Sequence, residues 1–273
     1  METAEGAPYR RRSAAERIVG AAARLLPEGA ARRWLRAVWR ATLGRRGVVS
    51  RLPGGEAVRL LAAYRFVTWN PAEYRAFRAA VRPGAVALDV GANVGAYTLL
   101  LGRWVGPEGR VYAFEPSPET FQGLTRHLAL NGLGGTVVPV AAAVSRAAGR
   151  GTLSGGGVSG GNRLDAAGSG PAVEMVSLDG FCEREGIVPS FIKIDVEGAE
   201  LDVLCGARET IRRAGPKLAL FVEMHPTIWR EMGITAADLQ AELELQGLRA
   251  EPLRPGVADP WRLEGECLRL VPR

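Results

Sequence analysis

Ala87-Leu88-Asp89-Val90-Gly91-Ala92-Asn93-Val94-Gly95 reads as a short apolar strand that enters a glycine turn and then a helix. Glycine in such a turn permits positive φ and lets a ligand approach the backbone closely. Taken alone, the turn also suits a dinucleotide, whose usual fingerprint is G-x-G-x-x-G with the pyrophosphate at a helix N-terminus. Here the spacing is Gly91-x-Asn93-x-Gly95, and Asp89 stands two residues before the first glycine. A carboxylate beside the turn repels a pyrophosphate and favours a cation. A second acid, Glu115, follows Val111-Tyr112-Ala113-Phe114 and lies 24 residues beyond Gly91. The end of a second strand should approach the first loop there, where a carboxylate can accept both ribose hydroxyls. Together the two acids point to a nucleoside that carries positive charge, as S-adenosylmethionine does. An NAD-dependent oxidoreductase is the alternative, disfavoured by the missing third-glycine spacing and by Asp89.

Outward from this turn the chain alternates short apolar runs with amphipathic stretches, the pattern of βαβ units in a doubly wound, mostly parallel α/β sheet. Strands are expected at residues 86–90, 110–114, 136–140, 191–195 and 218–223, with helices at 95–104, 118–130 and 199–213. A further helix should start at Thr235, where Asp238 completes a capping box, and closing strands are expected at 248–253 and 267–271. The stretch Gly149 to Gly170 is dominated by Gly, Ser and Ala and holds too little apolar side chain for a core element. It is expected to be a mobile loop over the substrate site, a plain connection or an irregular hairpin.

A chain of 273 residues with 47% hydrophobic content suits one large domain plus an appendage. We expect an Arg-rich N-terminal helical extension over 1–60 and the catalytic domain over 61–273. Of the net charge of +6, residues 1–60 contribute 13 Arg against five Glu, so the body is not basic and nucleic acid is not expected as a partner. Two helices are expected between Ser13 and Leu43, with Ser13 and Glu16 at capping-box spacing. The second gathers Trp34, Leu35 and Val38 on one side, with Arg32, Arg33, Arg36 and Arg40 around the rest. That suits either a helical cap on the body or peripheral contact with an anionic membrane or a protein partner. Cys182, Cys205 and Cys267 are odd in number and widely spaced, which fits a reducing cytoplasm.

Four segments in order carry a family resemblance: Leu88 to Thr98, Val111 to Pro118 (VYAFEPSP), Phe191 to Glu200 (FIKIDVEGAE) and Phe221 to Pro226 (FVEMHP). Over about Val81 to Pro226 the chain resembles the FkbM-type methyltransferases. The resemblance implies a class I methyltransferase (Rossmann-like) fold, a seven-stranded sheet with the last strand antiparallel, and S-adenosyl-L-methionine as cofactor. It implies methyl transfer to an oxygen of a sugar, polyketide or other small molecule, so a small-molecule or glycan acceptor is expected. It also implies that Asp89, Gly91, Asn93, Gly95, Tyr97 and Thr98 surround the methionine part, Glu115 the ribose, and Pro116 and Ser117 the adenine edge. His127 departs from the family, which often has Asn there. A methyltransferase-like fold that binds without turnover is the reading from another class, and the intact motifs weigh against it.

Methyl transfer from a sulfonium requires an acceptor oxygen held in line and, for an alcohol, a group to take its proton. Asp195, Glu197, Glu223 and His225 lie at the carboxyl ends of the fourth and fifth expected strands, where doubly wound folds place ligands. They are the expected catalytic residues, with His225 a general-base candidate by its near-neutral reference pKa. Capping of the helix near Ala199 is the competing role for Asp195 and Glu197, and the only one expected of Glu200. The same four catalytic candidates form a donor set of the kind that binds a magnesium-like ion. Spacing alone does not establish whether they converge.

Overall fold

The computed structural model describes residues 29, 47–52, 55–64, 67–154, 163–165, 170–257 and 259–273. The two helices expected between Ser13 and Leu43 lie outside the described residues. In chain order the first strands are β1 (Val48–Arg51) and β2 (Ala57–Leu60), followed by α1 (Pro71–Ala80), β3 (Val86–Val90), α2 (Ala96–Val105), β4 (Arg110–Phe114) and α3 (Pro118–Asn131). Then come β5 (Val137–Val140), β6 (Ala142–Val144), β7 (Gly149–Ser154), β8 (Arg163–Asp165), β9 (Ala172–Val176), α4 (Leu178–Glu185) and β10 (Phe191–Ile194). The chain ends with α5 (Glu200–Cys205), α6 (Arg208–Ala214), β11 (Ala219–Met224), α7 (Pro226–Glu231), α8 (Ala236–Leu245), β12 (Leu248–Pro252) and β13 (Glu266–Pro272).

Seven strands form the central sheet in the order β12-β13-β11-β10-β3-β4-β5. Strand β13 is antiparallel to both its neighbours, and the remaining pairs are parallel. The doubly wound sheet with an antiparallel last strand is therefore present. Both faces are covered, which is why the central strands read as unbroken apolar runs. Leu88, Val90, Ile192, Ile194, Leu220 and Val222 pack into one core, while Ala87, Phe191 and Phe221 join Phe77, Leu99 and Trp104 in the other. Asp89 and Lys193 are register partners on the second face, so a carboxylate and an ammonium share the middle of the sheet.

Two expectations are corrected by long-range contacts. The single helix expected over 199–213 is two, α5 and α6. A Cβ on Gly206 would sit 2.3 Å from the Ser145 carbonyl oxygen, and the Asp179 carboxylate accepts the Glu209 and Thr210 N–H groups at 3.1 and 2.7 Å, capping α6 from another helix. The Gly149 to Gly170 stretch does build core: β7 and β8 join β6 and β9 in a four-stranded sheet, in which Leu153 packs with Ala143 and Val173. Gly170 serves close packing, since a Cβ there would lie 1.6 Å from the Leu153 carbonyl oxygen. The capping box of Thr235 and Asp238 at the start of α8 is present as expected.

The boundary expected at residue 60 falls immediately after β2, whose Val58 and Leu60 are fully buried in the core of Leu99 and Trp104. The β1–β2 hairpin is fastened to α3 by Asn131, which accepts from the Arg59 N–H at 2.9 Å and donates to its carbonyl at 2.8 Å. His127 makes a second tie. Its Nε2 accepts from the Leu61 N–H at 2.9 Å, and its Nδ1 donates to the Val94 carbonyl at 2.6 Å. The departure from the family at this position is thus a buried link between hairpin and glycine turn. Burial lowers the imidazole pKa below 6.5, against the Val94 hydrogen bond. A depressed folded pKa contributes stability that is present above the unfolded value of 6.5 and is lost as the pH falls through the folded value. We expect the melting temperature of the wild type to fall on acidification from about pH 7 to 5 more steeply than that of His127→Gln, which has no such proton to take up. Parallel pH profiles in differential scanning fluorimetry would refute this.

Candidate active site

The turn after β3 is built by its neighbours. Gly91 and Ala92 N–H groups donate to the Phe114 carbonyl at 3.1 and 2.9 Å, which ties the first loop to the end of β4. Gly91 has φ +81°, and a Cβ there would lie 1.7 Å from the Asp195 carbonyl oxygen. Only glycine lets the ends of β3 and β10 close this tightly. Glu115 then locks the arrangement. Its Oε2 accepts from the Asn93 N–H at 2.8 Å, while Oε1 accepts from the Ser117 N–H at 2.8 Å and the Thr120 hydroxyl at 2.6 Å. Burial raises the Glu115 pKa, opposed by these three donors.

Beside this turn opens a cleft lined by Gly91, Asn93, Glu115, Pro116, Asp195 and Glu197 among the residues expected from the sequence. Its apolar wall is Phe114, Ala142, Val144, Leu153 and Leu164, which the sequence reading did not place there. The strand expected over 136–140 ends before this wall: Ala142 and Val144 belong to β6, which follows at once and enters the second sheet. Asp89, Gly95, Tyr97, Thr98 and Ser117 do not line the cleft. Asp89 is 1% exposed and accepts from Thr98 Oγ1 at 2.5 Å, with its other oxygen lacking a hydrogen-bond partner. Gly95 caps α2 with φ +91°, Tyr97 accepts from the Asn70 N–H at 3.2 Å, and the Ser117 N–H supports Glu115. These five act behind the cleft surface.

The four expected catalytic residues do converge, and Asp195 and Glu197 among them line the cleft. His225 Nε2 lies 3.8 Å from an Asp195 oxygen, 3.8 Å from Glu197 and 3.9 Å from Glu223. Glu200, fully buried, accepts from His225 Nδ1 at 2.7 Å, from the Trp229 indole at 2.6 Å and from the Gly198 N–H at 3.1 Å. Glu200 therefore orients the imidazole, a role wider than the helix cap expected of it. Lys193 bridges the cluster to the glycine turn, with Nζ 3.0 Å from Asp195 and 4.0 Å from Asp89.

Electrostatics separates the four. Burial alone would lower the His225 pKa, but the Glu200 hydrogen bond and the charges of Glu200, Asp195 and Glu197 together hold it at about 9. Glu223 is pushed well above the carboxylate range by burial first, then by the Asp195 and Glu73 charges. Asp195 and Glu197 are the two whose side chains reach the cleft, about a quarter to a third exposed. Glu197 is presented by a left-handed backbone, φ +51°, a conformation that costs a non-glycine residue of order 1 kcal/mol.

A seven-stranded sheet in the order β5-β4-β3-β10-β11-β13-β12, with an acid-lined cleft beside the turn after β3, is the class I methyltransferase fold. A model of the methyltransferase FkbM domain matches residues 89–249, and the chain belongs to the FkbM methyltransferase family. It is 29% identical over 143 residues to the hexuronic acid methyltransferase AglP of Haloferax volcanii, covering 51% of this chain and 56% of that protein. The chain thus spans little more than half the length of that curated relative. Among solved structures it is similar to an S-adenosylmethionine-dependent O-methyltransferase of Thermotoga maritima, with TM-score 0.44, 14% identity and coverage of 87% of this chain and 81% of that one. The ribosomal protein L11 methylase of Lactobacillus delbrueckii subsp. bulgaricus gives TM-score 0.42 at 15% identity, covering 74% and 77%.

Proposed function

We propose that this protein transfers the methyl group of S-adenosylmethionine to an oxygen of a sugar acid. The observation that carries the reading is one cleft lined by Glu115 and by Asp195 and Glu197. The donor supplies an electrophilic methyl on a sulfonium. Glu115 fits its ribose, because its Oε2 accepts only from the Asn93 N–H and keeps a lone pair for a hydroxyl. The apolar wall of Phe114, Ala142 and Val144 suits a flat base, and Asp195 and Glu197 attract the positive centre. A hydroxyl acceptor loses its proton to a carboxylate of the Asp195 cluster, which His225 and Lys193 hold in place. A carboxylate acceptor needs no such transfer.

The choice of a sugar acid rests on the 29% identity to a hexuronic acid methyltransferase. The three cysteines are unpaired, which supports a reducing cytoplasm as the place of work, and no helix of the described residues is long and apolar enough to cross a membrane. Incubating the full chain with labelled S-adenosylmethionine and hexuronic acid glycans should give a methyl ester or ether by mass spectrometry. Calorimetry showing no affinity for S-adenosylhomocysteine, or saturable binding of a nicotinamide dinucleotide instead, would overturn the reading.

A further inference from the structure

We infer that Asp195, Glu197 and His225 form a divalent-cation site of the mixed nitrogen and oxygen kind that takes Mn²⁺. One oxygen from each acid and one ring nitrogen of His225 all lie within 4.8 Å of one another. The Nε2 distances to Asp195 and Glu197, both 3.8 Å, are just under twice a metal–ligand bond of about 2.1 Å, so one ion can reach all three. They are too long for hydrogen bonds.

The histidine is what separates this from an ordinary group of surface acids. His225 is 95% buried, and among the described residues its Nε2 makes no hydrogen bond. That nitrogen is aimed into three carboxylates, with Glu223 the third at 3.9 Å. Its other nitrogen is fixed by Glu200, itself fully buried and saturated by Trp229 and the Gly198 N–H. A buried carboxylate on one ring nitrogen, turning the other toward an acid pair, is how metal-binding histidines are oriented and made more basic. Two carboxylates alone would suit Mg²⁺; adding an imidazole shifts the preference toward Mn²⁺ and its neighbours.

The two ligand acids are also the cleft-lining pair, so the ion would sit where the acceptor enters. Resting on the proposed function, this answers a difficulty in it: an anionic sugar acid would meet like charges at Asp195 and Glu197, and a dication offsets them.

The test is Mn²⁺ titration of the chelator-treated full chain, followed by loss of the free-ion electron paramagnetic resonance signal. One ion per chain is expected. Glu197→Gln, whose side chain is 31% exposed, should fold and bind at least tenfold more weakly. Glu200→Gln keeps all three ligands and should also weaken binding, by about 10- to 100-fold. Absence of saturable binding, or unchanged affinity in both variants, overturns the site. Calorimetry with S-adenosylhomocysteine on the same samples keeps the two claims apart. Nucleoside binding without Mn²⁺ binding removes the ion alone, and Mn²⁺ binding without nucleoside binding removes the methyl-donor reading and leaves the ion.

Discussion

Gly91→Ala should abolish measurable binding of S-adenosylhomocysteine and lower the melting temperature by roughly 10 °C, as overpacking and left-handed strain together cost about 3–5 kcal/mol. The new Cβ would lie 1.7 Å from the Asp195 carbonyl oxygen and 2.7 Å from its carbon. Neither atom belongs to a side chain that can swing aside. The Asp195 N–H donates to the Val90 carbonyl at 2.9 Å, and the Gly91 N–H donates to Phe114, so the two strand ends are bonded into one frame. Relief requires parting β3 from β10, which moves Asp195, Val196 and Glu197 out of the cleft wall. Residual affinity is expected to be undetectable because the same shift breaks the Asn93 contact to Glu115. Calorimetry and circular dichroism melting check both parts. A variant that melts with the wild type and still binds would show that the two loops are not held in this register.

Glu197→Gln should lower kcat by about 10²- to 10⁴-fold, the range for loss of a positioned proton-accepting or charge-bearing group. Affinity for S-adenosylhomocysteine should change little. The substitution is nearly isosteric, the side chain is 31% exposed, and Glu197 makes no hydrogen bond that supports the glycine turn. What it removes is negative charge opposite the buried imidazole, 3.8 Å away. Rapid-quench single-turnover rates with saturating donor would measure the chemical step directly. A wild-type rate in this variant would remove the Asp195 cluster from the reaction.

Several of these features could be read before any coordinates. Strands β3 and β4 are found at the expected residues because buried parallel strands appear as short, unbroken apolar runs between turns. The turn at Gly91 and the acid Glu115 at the end of β4 were legible because a strand-to-helix turn with positive φ demands glycine, and the two strand ends meet through the Asn93 N–H. Helix α1 was missed although Asn70-Pro71 marks its start: the Asn70 side chain accepts from the Ala72 N–H, and proline occupies the first turn.

The remainder was hidden for a physical reason. The parts of the small sheet are separated by two glycine-rich stretches, and among the described residues its own cluster is built on Ala143, Leu153 and Val173 from three different strands, so no local window shows it. Glu200 gains its role from donors two, 25 and 29 residues away. His127 likewise joins segments 33 and 66 residues distant. Such roles belong to the assembled frame, and residue type and local spacing do not reveal them.

The His127 link has a dynamic corollary. One imidazole holds the carbonyl of Val94, inside the nucleoside turn, and the amide of Leu61, at the base of the β1–β2 hairpin. Opening of the hairpin and opening of the turn are therefore one linked equilibrium. A ligand that quiets the turn should slow amide exchange at Leu61, and loosening the hairpin should be felt as faster departure of the ligand.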